Sequence, residues 1–144
     1  MLVAALLALG WKFIVAGSTQ KLADGRVAVM LAPAERALLL GEMRSFVAGL
    51  QTLADALARE DMKSAAAAAR AMGSARSHDV PAAMMGKLPL EFKSLAMGVH
   101  GGFDTMALDA EALGLPKHTL AQLSDVLQKC VACHATYTAG TAAP

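Results

Sequence analysis

The chain is poor in aromatic residues, with one Trp, one Tyr and four Phe among 144 positions. Sheet-rich domains draw on aromatic and β-branched side chains, so this scarcity disfavours a β-sandwich or barrel. No stretch shows the sustained apolar–polar alternation of a half-buried strand. Net charge is lacking too: 13 Lys and Arg stand against 12 Asp and Glu, a balance of +1. That balance offers no basic surface for nucleic acid, and no nucleic-acid partner is expected. Cysteine is limited to two residues, which leaves no disulfide framework once their shared motif is accounted for. What is abundant is alanine, leucine and methionine, all strong helix formers. The length suits one domain with a modest core.

Both cysteines fall in Cys130-Val131-Ala132-Cys133-His134, the pattern of a c-type haem attachment. Each thiol adds to one vinyl group of the porphyrin, and the adjoining imidazole ligates the iron, for which it is a strong axial ligand. Positions i, i+3 and i+4 of a helix share a face, so the three side chains reach one haem together. Structural zinc instead needs four ligands, usually as two pairs. No other cysteine exists, and His78, His100 and His118 are isolated in sequence. A thioredoxin-like dithiol opens a helix beside a βαβ unit, whereas this pair lies late in a helical stretch.

Residues 1–17, MLVAALLALGWKFIVAG, carry Lys12 as their only charge. Spanning a bilayer takes about 20 apolar residues. The run is slightly short, but Lys12 can snorkel and Trp11 suits an interface. A cleaved secretory signal is the alternative, with Val15-Ala16-Gly17 as its cleavage site, although a basic n-region and an A-x-A site are missing. The expectation is an uncleaved anchor that attaches a periplasmic domain to the inner membrane; cleavage would give a soluble periplasmic protein. Residues 18–32 read as a tether. Its short apolar run, Val27 to Leu31, is expected to form no sheet.

Four helices follow in the pattern. The first begins near Pro33, with Glu35 complementing its dipole, and runs to about Glu60. Leu39, Met43, Phe46, Leu50, Leu53 and Leu57 recur on it at bundle-like spacing. Asp61 suits the N-cap of a second, small-sided helix, Met62 to about Ala75. Residues 77–87 form a loop containing Pro81. The third helix runs from about Pro89 to Leu113 and ends at Gly114. Gly98, Gly101 and Gly102 weaken it by about 1 kcal/mol each against alanine. Their clustering near His100 points to a bulky neighbour, a haem or simply a kink. The last helix carries Leu120, Leu123, Leu127, Cys130, His134 and Tyr137 as its inner stripe, and the tail from Thr138 onward frays. These stripes and connections predict an all-α, antiparallel four-helix bundle.

At this point residues 33–138 resemble the cytochrome c′ family and its six-coordinate relatives. The C-terminal placement of Cys130-Val131-Ala132-Cys133-His134 on the last helix carries the resemblance; in ordinary class I cytochromes c the motif lies near the N-terminus. The resemblance implies one haem c bound through Cys130 and Cys133, with His134 as proximal ligand. Met43-x-x-Phe46-x-x-x-Leu50-x-x-Leu53 looks like the first helix of the six-coordinate members, in which methionine is the second ligand. Dimerisation is common in that family, so the resemblance also implies a homodimer as one arrangement.

Three distal arrangements stay open. Met43 supplies the sixth ligand, or is an ordinary core methionine. His100 supplies it, or is hydrogen-bonded structure. Otherwise the iron is open, screened by Leu40 or Phe46, with Arg36 and Leu40 resembling the arginine and apolar residue of the five-coordinate members. Arg36 or Arg44 pairs with a propionate, or is solvated. His/Met ligation gives low-spin iron with a raised potential and suits a periplasmic single-electron carrier with an unidentified redox partner rather than an enzyme. Five-coordinate iron suits NO or CO binding. A weak peroxidase-like activity would need His100 as its acid–base group.

Overall fold

The protein is described here by a computed structural model covering residues 1–75 and 80–142. Helix α1 (Leu2–Gly10) continues into a π-helical stretch, Trp11–Ala16. Strands β1 (Thr19–Lys21) and β2 (Val27–Leu31) follow, then α2 (Pro33–Ala58), α3 (Met62–Ala71), α4 (Ala82–Met85), α5 (Leu90–Leu113), α6 (Pro116–Thr136) and β3 (Tyr137–Thr141). The fold is therefore mostly helical, as expected, but it is not all-α.

Local chemistry sets the helix ends. Pro33 opens α2, and the Glu35 carboxylate accepts from the Ala32 backbone N–H at 2.8 Å, occupying a donor that the first turn leaves free. The same carboxylate pairs with Lys87 at 2.6 Å, which ties α2 to the connection before α5. Asp61 caps α3 through the Ser64 N–H at 3.0 Å. That helix ends at Ala71, short of the expected Ala75. Gly114 closes α5 in the left-handed conformation, φ 62°. The expected loop over residues 77–87 contains α4, Ala82–Met85; its first part, with His78, lies outside the described residues.

The long helices pack in series, α2 on α3, α3 on α5 and α5 on α6. Along α5 and α6, Gly98 lies against Lys129 and Gly102 against Val126. The numbers run in opposite directions, so the two helices are antiparallel. Ala65, Ala66 and Ala69 of α3 are almost wholly buried, where a side chain of one carbon permits close helix approach. Ala65 and Ala69 form one core cluster with Leu53, Met72, Phe103, Met106 and Val126. Each large side chain there contributes about 1.5–3 kcal/mol through burial.

Two expectations are corrected at the other end of the molecule. Val27–Leu31 does form a strand, and the chain after Thr136 does not fray along its described length. β1 pairs antiparallel with β2, and β2 pairs parallel with β3 over Val27–Leu31 and Tyr137–Thr141. Pairing is favourable because β2 buries Val29 and Leu31 completely. They form a second core cluster with Met84, Leu88 and Tyr137. The stretch from Gly17 to Arg26, expected as part of a tether, instead includes a strand fastened to the domain: the Ser18 N–H donates to the Lys87 carbonyl at 2.7 Å.

Candidate functional site

The Cys130–His134 motif occupies the last turns of α6, immediately before the chain turns into β3. The Tyr137 N–H donates to the Cys133 carbonyl, and the Tyr137 hydroxyl reaches Glu91 at 3.3 Å. The motif is thereby held at the sheet end of the molecule. Its two cysteines bridge the cores: Cys130 packs on the helical cluster and Cys133 on the sheet-end cluster.

Both cysteines are free thiols, half-buried. Burial is the main cause that pushes each thiol above its ordinary range, with Cys130 adding to the effect at Cys133. A disulfide oxidoreductase needs the reverse, a thiolate stabilised at a helix N-terminus. Here the pair sits at a helix C-terminus, where the dipole disfavours negative charge. Among the described residues no three His, Cys, Asp or Glu side chains converge as a metal-holding group. Cys130, Cys133 and His134 thus do not meet at one point. A structural zinc site requires such convergence.

The buried stripe of α6 is turned from the expected one. Thr119, Leu123 and Val126 are buried, while Leu120 is 57% exposed, Leu127 38% exposed and His134 also exposed. Leu120, Leu127 and His134 follow at seven-residue steps, so they form one row along a flank. Lys129, which touches α5 at Gly98, lies about 140° around the helix from His134 at 3.6 residues per turn. The His134 row therefore lies on the flank away from α5.

On α2 the same reasoning places Met43. Gly49 meets Met72 beside α3, and Met43 lies about 120° around from Gly49. Met43 is half-buried and belongs to neither core cluster among the described residues. Val47, one turn on, is 69% exposed. Helices α2 and α6 both touch β3, and among the described residues they do not pack on each other as α2 does on α3 or α5 on α6. The two half-buried thiols at the end of α6, packed on apolar clusters, fit a covalently attached apolar group.

The remaining candidates go elsewhere. His100 is buried on α5; its Nδ1 lies 2.9 Å from the Met72 carbonyl, and its Nε2 lies 3.5 Å from Glu42. A carbonyl only accepts, so Nδ1 carries the proton. Phe46 stacks on Phe103 and meets the His100 ring at a tilt, with ring centroids 5.9 and 5.3 Å away. Arg36 donates from Nε to the Ala139 carbonyl at 3.0 Å, which joins α2 to β3. Arg44 is exposed, and Leu40 is half-buried. The glycines of α5 accommodate α6: Gly102 lies under Val126 and Gly98 under Lys129, while Gly101 faces open space. A groove of about 430 Å³ between Leu95, Gly98 and Lys129 lies on the α5 side of α6, not on the His134 flank.

Sequence reasoning did not find Glu42 as the partner of His100, or β3 as the brace behind the motif. A signal for the second was present in Tyr137, an aromatic residue that follows the motif closely and opens β3. No family profile, no curated protein and no solved structure matches the chain.

Proposed function

We propose that the protein is a monohaem c-type cytochrome with four antiparallel helices around its core, carrying single electrons. Its haem is bound through Cys130 and Cys133, with His134 and Met43 as axial ligands. One observation supports this reading: Cys130 and Cys133 are free, half-buried thiols at the end of α6, each packed against an apolar cluster. When bound, the haem supplies a one-electron couple, and His/Met ligation raises its potential.

The chain's own residues do the rest. Cys130 and Cys133 fix the position of the group, and their contacts with both cores resist its movement. β3, held by Arg36 and by Tyr137 with Glu91, fixes the spacing of α2 and α6 at the motif, so neither axial side chain has to travel when charge changes. His100 is a structural residue in this reading. No helix among the described residues is long and apolar enough to cross a membrane, so in this reading the apolar segment 1–16 attaches the domain to the periplasmic side of the inner membrane without crossing it.

The ferrous absorption spectrum tests the ligand set. Low-spin iron gives sharp α and β bands and resists CO, and Met43→Ala converts this into a broad band that responds to CO. A wild-type protein that already takes up CO would favour the five-coordinate, gas-binding alternative, with Leu40 on the distal side. An unchanged Met43→Ala spectrum would remove Met43 as ligand.

A further inference from the structure

The helix 2–16 is apolar on every side and has no buried residue. Leu2, Val3, Leu6, Leu7, Trp11, Phe13 and Ile14 are all more than half exposed. A helix that is apolar all round belongs in a protein core or in lipid, and among the described residues only the 13–16 end of this one meets the domain. Its only charge, Lys12, lies at the domain end and donates to the Gly17 carbonyl at 2.7 Å. Lipid is the environment that this distribution fits.

The junction with the domain is tight. Gly17 is buried with φ +64°, and a Cβ there would lie 2.5 Å from the Lys87 carbonyl oxygen and 2.8 Å from the Leu88 carbonyl carbon. Only glycine allows that approach. Lys93, in the first turn of α5, donates to the carbonyls of Phe13 and Ile14 at 3.2 and 3.3 Å. These are carbonyls near the end of a helix that lacks a following turn to satisfy them. Phe13 lies beside Gly86. Position matters as much as tightness. Leu88, whose backbone supports Gly17, belongs to the same core cluster as Tyr137 and Cys133. The apolar helix is thus fastened to the end of the domain that carries the attachment motif, through one layer of side chains.

From this we infer that residues 2–16 form a lipid-embedded post joined without a flexible tether. The post holds the Cys130–His134 end of the domain against the bilayer surface and restricts its electron partners to redox centres at that surface. The inference rests on the haem reading above for its partner class, and on the Gly17–Leu88–Cys133 connection for its geometry.

The test uses the full-length, haem-loaded protein in phosphatidylcholine–phosphatidylglycerol vesicles that contain a trace of headgroup-labelled fluorescent lipid. The protein co-floats with the vesicles and quenches the label by energy transfer to the haem. Inserting 20 Gly/Ser residues between Ala16 and Gly17 adds a reach of about 25 Å, and the steep distance dependence of energy transfer then restores fluorescence several-fold. Gly17→Val, which loosens the junction without lengthening the chain, restores it in part. Equal quenching by the wild type and the linker variant would overturn the inference, as would a protein that does not float. A colourless protein would sink the haem reading instead; the free thiols then take a maleimide quencher, and the same comparison decides the geometry.

Discussion

Replacing Gly102 by alanine tests how α5 and α6 meet beside the motif. The new Cβ would lie 2.6 Å from Val126 Cγ2, closer than two carbons tolerate. Val126 is 2% exposed, and a β-branched side chain in a helix has one strongly preferred rotamer, so its methyl has nowhere to swing. Overpacking of this kind costs about 1–3 kcal/mol. Alanine also returns about 1 kcal/mol of helix propensity. Gly101→Ala gains the same propensity with nothing within 4 Å of its Cβ. The propensity gain cancels between the two variants, which leaves Gly102→Ala about 1–3 kcal/mol less stable than Gly101→Ala. For a chain of this size that corresponds to about 2–4 °C in midpoint for each kcal/mol. Urea unfolding followed by helical circular dichroism measures the difference. Adding Val126→Ala should recover most of the loss from Gly102→Ala, because the two side chains compete for one volume. Equal stability of the two single variants would refute the packing, and a haem spectrum altered by Gly101→Ala would return the glycines to a role in haem contact.

Other perturbations have equally definite outcomes. His100→Leu leaves the buried Met72 carbonyl without its donor and should cost about 1–3 kcal/mol while leaving the ferrous spectrum unchanged; a changed spectrum would make His100 a ligand. Lys87, the first cause, and the Ala32 N–H hold the Glu35 carboxyl below its ordinary 4.5. A folded-state pKa that is lowered adds stability above the unfolded value and loses it as pH falls through the folded one. Lys87→Met should therefore shift the acid-unfolding midpoint to higher pH, and an unshifted midpoint would remove the pair from the acid response. Asp61→Ala should cost about 1 kcal/mol in thermal unfolding by removing the cap at Ser64.

The helices were legible because their signals are local. Pro33 with Glu35, Asp61 as a cap, and Gly114 in the left-handed conformation each act within one turn. The attachment motif was legible for the same reason, since its chemistry is compressed into five residues. The sheet was not. Val27 pairs with Tyr137 across almost the whole chain, and a strand of Thr, Ala and Gly shows its preference only when its partner is already in place. The face of α6 was misjudged by part of a turn because Leu120, Leu127 and His134 are spaced like a core row. His100 looked like a ligand candidate because its partners, Met72 and Glu42, come from α2 and the end of α3 and leave no mark near it in sequence.

The central claim is a covalent bond between a porphyrin and the last helix, and extraction tests it most directly. The protein, made in a host that exports it and matures c-type haem, is denatured and extracted with acid–acetone. The account predicts a polypeptide that stays red and has no titratable thiol at Cys130 or Cys133. A colourless polypeptide with both thiols free would contradict it.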